Sequence, residues 1–222
     1  MCGRYANHVR QMGQWADLLG DWPVDADIGY NIAPTAMVPA FTAETGRAMH
    51  WGMVPPWAKE AKLKYATFNA RSESVADKPA FRHAWNRSQT CLVPALGYYE
   101  WKGPKGAKQP WFIRPAADEP LVMAGLWEHW QSGEDSLYSC TIITQPSAGQ
   151  LADLHSRMPL MVNHDQAERW INDVVTVFED LLDGQDVSNL TYYPVSRSVN
   201  RSGNEGEELT ERIDLEDEAQ PD

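Results

Sequence analysis

A cysteine follows the initiator in Met1-Cys2-Gly3-Arg4. A side chain this small at the second position permits removal of the methionine, so Cys2 is expected to become the first residue. It would then carry a thiol and a free α-amine, two nucleophiles two carbons apart. An α-amine has an ordinary pKa of about 7.7–8.0, so far more of it than of a lysine is unprotonated at neutral pH. Its ammonium form is expected to pull the adjacent thiol's pKa down. Such a group attacks acyl carbons, as in amidases, or condenses with aldehydes. The alternative reading of Cys2 is a small buried hydrophobe.

Three further strings carry chemistry-bearing side chains: Phe68-Asn69-Ala70-Arg71-Ser72-Glu73, Gly97-Tyr98-Tyr99-Glu100-Trp101 and Leu154-His155-Ser156-Arg157-Met158-Pro159. Glu100, a carboxyl among aromatics in a strand, suits general acid or base work at neutral pH, or faces water. His155 is a catalytic acid or base, or the cap of a helix end after Leu151 and Leu154. Asn69 and Arg71 are site residues or a loop hydrogen-bonding pair. Tryptophans such as Trp51, Trp57, Trp101, Trp111 and Trp127 are core residues or stacking surfaces.

The elements that position these residues read as follows. A helix capped by Asn7 is expected to run to Leu19, and residues 21–34 read as loop. Strands are expected at 37–42, 47–53, 90–96, 98–102, 110–114, 121–130, 137–144 and 191–196, with a hairpin turn at Gly103-Pro104-Lys105-Gly106. Short helices are expected at 77–85, 147–154 and 165–172. The pattern predicts one α+β domain, residues 1–202, built on mainly antiparallel, barrel-like β-sheet with a few short helices.

The chain has 222 residues, ten Trp, eight Tyr, five Phe and a net charge of −12. Nine acidic residues and one arginine lie between 203 and 222, a net of −8 that leaves −4 for the body. That stretch reads as a solvated, disordered acidic tail. Cys2, Cys91 and Cys140 form no metal-ligand spacing, and an odd cysteine count without a secretory signal predicts a reducing, cytoplasmic setting. No apolar run is long enough to span a bilayer. Neither a metal, a cofactor nor a membrane is expected, and the protein is expected to be a monomer.

The segments MCGRY, YNIAP (30–34), HWGMVPPW (50–57), NARSES (69–74), CLVPALGYYEWK (91–102), LHSRMPLM (154–161) and YPVSRSVN (193–200) occur in an order that resembles the SRAP family, the SOS-response-associated peptidase-like proteins that process abasic sites. The likeness spans residue 2 to about 201. It implies that Cys2, once Met1 is removed, links covalently to the ring-opened abasic sugar in single-stranded DNA as a thiazolidine, protecting the lesion from strand cleavage. It further implies lyase-type reversal of that crosslink and a self-processing peptidase step. By the resemblance Glu100 and His155 are proton carriers and Asn69 orients Cys2. Arg4, Arg71 and Arg157 hold phosphates, and Pro34, Trp51 and Trp101 shape the surface for unstacked bases. The protein is expected in the cytoplasm of a bacterial-type cell, associated with the nucleoid when bound to DNA. Two other classes remain: an N-terminal-nucleophile amidohydrolase or peptidase, which shares only the Met-Cys-Gly start, and a non-covalent reader of single-stranded DNA.

Overall fold

The computed structural model describes residues 2–8, 13–117, 119–172 and 174–215. In chain order its strands are β1 (Tyr5–Asn7), β2 (Gly29–Ile32), β3 (Met37–Phe41), β4 (Gly46–Trp51), β5 (Asn69–Arg71) and β6 (Thr90–Ala95). They continue as β7 (Gly97–Lys102), β8 (Gln109–Pro115), β9 (Leu121–Ser132), β10 (Asp135–Pro146), β11 (Arg157–Pro159) and β12 (Leu190–Pro194). The helices α1 (Ala16–Leu19), α2 (Arg82–Asn86), α3 (His164–Asn172) and α4 (Val174–Asp183) are short. The α+β, mainly antiparallel architecture is the one the sequence predicts. No helix among the described residues is long and apolar enough to cross a membrane.

Two sheets result, one in the order β12-β8-β7-β1-β2 and one in the order β11-β10-β4-β3-β6-β9, with β9 also pairing β10. Side chains alternate across each strand. Tyr5, Tyr98 and Ile113 of the first sheet therefore meet Val93, Met123, Cys140 and Ile142 of the second in a shared core. The opposite phase of the second sheet, Leu92, Val122, Ala124 and Ile143, packs against α3, whose Trp170 donates to the Cys91 and Gly125 carbonyls. Gly97 opens β7 where a Cβ would stand 2.4 Å from the Ile113 carbonyl, so only glycine fits.

β10 is the element that assembles the site. Along one edge it pairs in parallel with β4 at Ser139 and Cys140, then with β5 at Ile142 to Thr144. Along the other it pairs antiparallel with β9 and then with β11. Thr144 thus stands between Arg71 and Pro159, and segments more than eighty residues apart in sequence become neighbours.

Several sequence expectations need correction. Asn7 lies buried in β1 and does not cap a helix; only 13–15 (3-10) and 16–19 of the expected 7–19 helix are helical, and 9–12 lie outside the described residues. β2 sits inside the stretch read as loop. The helix expected from 77 begins at Arg82, because Pro79 disfavours helical geometry in the residue before it. Nor does the expected solvated tail begin at 203. Leu209 is buried with Val195, Val199 and Phe112, and the Glu205 carboxylate accepts from the Tyr30 amide. Residues 216–222 lie outside the described residues.

Candidate functional site around Cys2

Cys2 leads into β1, which lies antiparallel to β7 with Tyr5 opposite Tyr98, while the Tyr99 backbone amide donates to the Arg4 carbonyl. Continuing that register brings Gly3 level with Glu100 and sets Cys2 beside it. Cys2 is fully buried. Burial pushes its thiol well above the ordinary range and the charge on Glu100 adds to this; the amino terminus and the Arg4 amide pull the other way and are outweighed. The amino terminus here is that of Met1; the downward shift expected from the ammonium of Cys2 itself belongs to the chain after Met1 is removed.

Asn69 comes from the other sheet. Its Nδ2 donates to the Cys2 carbonyl at 2.6 Å, while β5 holds its backbone level with Ile142 of β10. His155 Nδ1 lies 3.6 Å from Glu100 Oε1, with Glu100 buried and His155 partly exposed. The Arg157 amide donates to His155 Nδ1 at 3.0 Å, which fixes the ring against β11. His155 follows a 3-10 turn, Gly149–Asp153, where a helix was expected. The structure thus gathers Cys2, Asn69, Glu100 and His155, four residues from four separate segments.

The other expected site residues divide. Arg71 is exposed at the end of β5, and its side chain makes no hydrogen bond or ion pair among the described residues. Arg157 is engaged: its Nη1 and Nη2 donate to both oxygens of Glu73, and Nη2 also reaches the Thr144 carbonyl and hydroxyl. Beside that guanidinium the Glu73 carboxyl falls to about 2. Arg4 turns inward, its Nη1 donating to Asn31 Oδ1 at 2.6 Å and to the Val199 carbonyl at 2.8 Å. Trp101 is partly exposed beneath Arg4 and donates to Asn200 Oδ1. Pro34, also partly exposed, lines a cleft of about 790 Å³ with Tyr30, Thr35 and Ser202.

Trp51 is not a surface for bases. It is fully buried, edge-on to Tyr5 and Phe68, with Nε1 donating to the Phe68 carbonyl. Two residues with site contacts received no role from the sequence, Glu73 and Asn31. Both sit inside motif segments, and their partners lie far off in the chain.

The SOS response associated peptidase (SRAP) family model matches residues 1–202. The chain belongs to the SRAP family. Among SRAP relatives, abasic site processing protein YoaM of Bacillus subtilis is 32% identical over 225 residues, covering 94% of this chain and 97% of its own. Abasic site processing protein HMCES of Xenopus tropicalis is 33% identical over 192 residues, 76% of this chain and 57% of that longer protein. A solved structure from Bacteroides thetaiotaomicron has the same fold, with a TM-score of 0.83, 21% identity and coverage of 96% and 100%. One from Bordetella bronchiseptica gives a TM-score of 0.78 at 25% identity, covering 88% and 100%. The SRAP match ends at residue 202, while the fold continues to cover the first sheet with residues as far as Leu209.

Proposed function

We propose that this SRAP protein processes abasic sites in single-stranded DNA by forming a covalent crosslink through Cys2 after Met1 is removed. The observation that carries this reading is the convergence of Asn69, Glu100 and His155 on Cys2, in a chain whose relatives are named abasic site processing proteins.

The α-amine adds to C1′ of the ring-opened sugar, forming a C–N bond and a carbinolamine. Loss of that hydroxyl as water, on a proton delivered by Glu100 or His155, gives the imine. The thiol then adds to the imine carbon, its proton passing to the ring nitrogen, and a five-membered thiazolidine closes. Closure is intramolecular and gains from a high effective molarity. In this order the amine acts first and the sulfur locks the product. The same proton carriers serve reversal, by microscopic reversibility. Arg71 and Arg157 guide the phosphates, while Trp101 and Pro34 border the strand.

The test is incubation with a single-stranded oligonucleotide containing one abasic site, followed by heating in denaturant. Wild type is expected to give a heat-stable adduct; Cys2→Ala, or protein retaining Met1, gives none. Cys2→Ser is expected to give only a labile link, and an equally durable serine adduct would overturn thiazolidine closure. Binding without any adduct is the outcome for a non-covalent reader, and ammonia released from glutamine is that for an amidohydrolase.

A further inference from the structure

The strand-guiding role of Arg157 meets an obstacle inside the protein. Both fork nitrogens of its guanidinium are filled by the Glu73 carboxylate, the two-point geometry that a phosphate would use. The two partners differ in freedom. The Arg157 side chain is 12% exposed and is also tied to Thr144, whereas the Glu73 side chain is 52% exposed on the 3-10 turn Ser72–Ser74. Glu73 can therefore swing into water while Arg157 stays where it is. Arg71 stands in register with the same Thr144, so two arginines and one glutamate share this spot. Two residues before Arg157 lies His155, on the Glu100 side of the site.

We propose that Glu73 is a specificity-determining residue, a built-in competitor for the phosphate that Arg157 would hold. This rests on the reading of the protein as a binder of lesion-bearing DNA and adds what sets its selectivity. A strand must displace the carboxylate to reach Arg157, so an undamaged strand, which gains nothing at Cys2, binds poorly. A strand whose sugar reacts at Cys2 is retained by the covalent bond regardless. Glu73 thus lowers affinity for intact DNA more than capture of the lesion, in a protein whose body is only mildly acidic.

The experiment measures binding of a fluorescein-labelled, undamaged thymidine oligonucleotide by anisotropy across a salt series, beside crosslinking of an abasic oligonucleotide. Glu73→Gln is expected to bind the undamaged strand about five- to tenfold more tightly at low salt. Its salt dependence is expected to steepen by about 0.7, one more phosphate contact on a single strand. Glu73→Asp, which keeps the charge on a shorter arm, should fall between the two. Adding Arg157→Ala to Glu73→Gln should abolish the gain. Unchanged or weaker binding by Glu73→Gln overturns the proposal, and so does a gain that survives Arg157→Ala, since it would then be a general charge effect. Thermal melting confirms that each variant is folded. If wild type fails to crosslink the abasic strand, the proposed function falls. If wild type crosslinks and Glu73→Gln binds as wild type does, only this inference falls.

Discussion

Asn69 reaches from one sheet to the segment that leads into the other: its Nδ2 donates to the Cys2 carbonyl at 2.6 Å. The segment around Cys2, the proposed nucleophile, is therefore held from both sides, by strand pairing to β7 and by a side-chain amide carried on β5. Asn69→Ala is expected to slow adduct formation roughly tenfold, the worth of about one buried hydrogen bond, with a small loss of stability. Asn69→Asp should be slower still, because an ionised carboxylate would face a carbonyl oxygen. Single-turnover crosslinking at saturating oligonucleotide is the measurement, and wild-type rates in both variants would remove Asn69 from the site.

The buried thiols predict an alkaline limit to stability. Burial pushes Cys140 up to about 12 and holds Cys2 and Cys91 well above the ordinary 9.0. Above that ordinary value an unfolded chain loses thiol protons that the folded chain keeps, so the folded state binds more protons and stability falls as pH rises. Each thiol contributes on the order of 1 kcal/mol per pH unit in that window. Buried Tyr5 and Tyr98, also raised by burial, act in the same direction from their own ordinary 10.0 upward. Urea melts between about pH 8 and about pH 10 should show this decline, and Cys140→Ala should lessen its slope. A flat profile would mean that the thiols ionise freely in the folded protein.

On the acid side, Glu73 works with the opposite sign. Its folded carboxyl, at about 2 beside Arg157, lies below the ordinary 4.5. The stabilisation is complete above the ordinary value and is lost as pH falls through about 2. With Glu73 half exposed, solvent screening limits this to below about 1 kcal/mol. Acid unfolding of Arg157→Ala compared with wild type reads it; a larger gap at neutral pH than at the acid end is expected, and a constant gap would show that packing dominates.

The long strands β3, β4, β6–β10 and β12 were legible because an apolar or alternating run of five or more residues is a signal of its own. β1, β5 and β11 have three residues each, too few for a period, and exist because partners on β7 and β10 complete them. The candidates were legible as residue types, and the structure brings Cys2, Asn69, Glu100 and His155 together. What the residues do with their polar atoms was not legible. The Arg157–Glu73 pair joins positions 84 apart, and Asn31 finds the carbonyls of Val199, Arg201 and Asn204 across gaps of 168, 170 and 173 residues. No local pattern encodes such partners, so an arginine committed to a glutamate reads in sequence like one awaiting a phosphate.

Two tryptophans make that point testable. Trp51→Ala is expected to cost about 3–5 kcal/mol, as for a large aromatic removed from a packed core. Trp101→Ala removes a partly exposed ring with one side-chain hydrogen bond and is expected to cost about 1 kcal/mol or less. Strand affinity should move the other way, falling about tenfold for Trp101→Ala if a base stacks there. Urea melts and oligonucleotide titration of both variants check it. A Trp51→Ala protein as stable as wild type would return that ring to the surface.

The last prediction concerns residues 197–213. Asn31 is the tie: its Nδ2 donates toward the Val199, Arg201 and Asn204 carbonyls, and its Oδ1 accepts from Arg4, two residues after Cys2. Leu209 fastens the same segment by filling the outer face of β7 and β8 beside Tyr99 and Phe112. Leu209→Ala is expected to cost about 2–3 kcal/mol in stability, and ending the chain at residue 202 to cost more. Asn31→Ala should lower stability and also slow adduct formation, since Arg4 loses an anchor next to the nucleophile. Asn31→Asp separates the two effects, because its carboxylate still accepts from Arg4 but cannot donate to the three carbonyls. It should therefore lose stability while crosslinking at a rate nearer wild type than Asn31→Ala does. Equal rates for the two variants would show that the Arg4 anchor is irrelevant to Cys2, and a fully stable protein ending at residue 202 would show that the segment is not part of the fold.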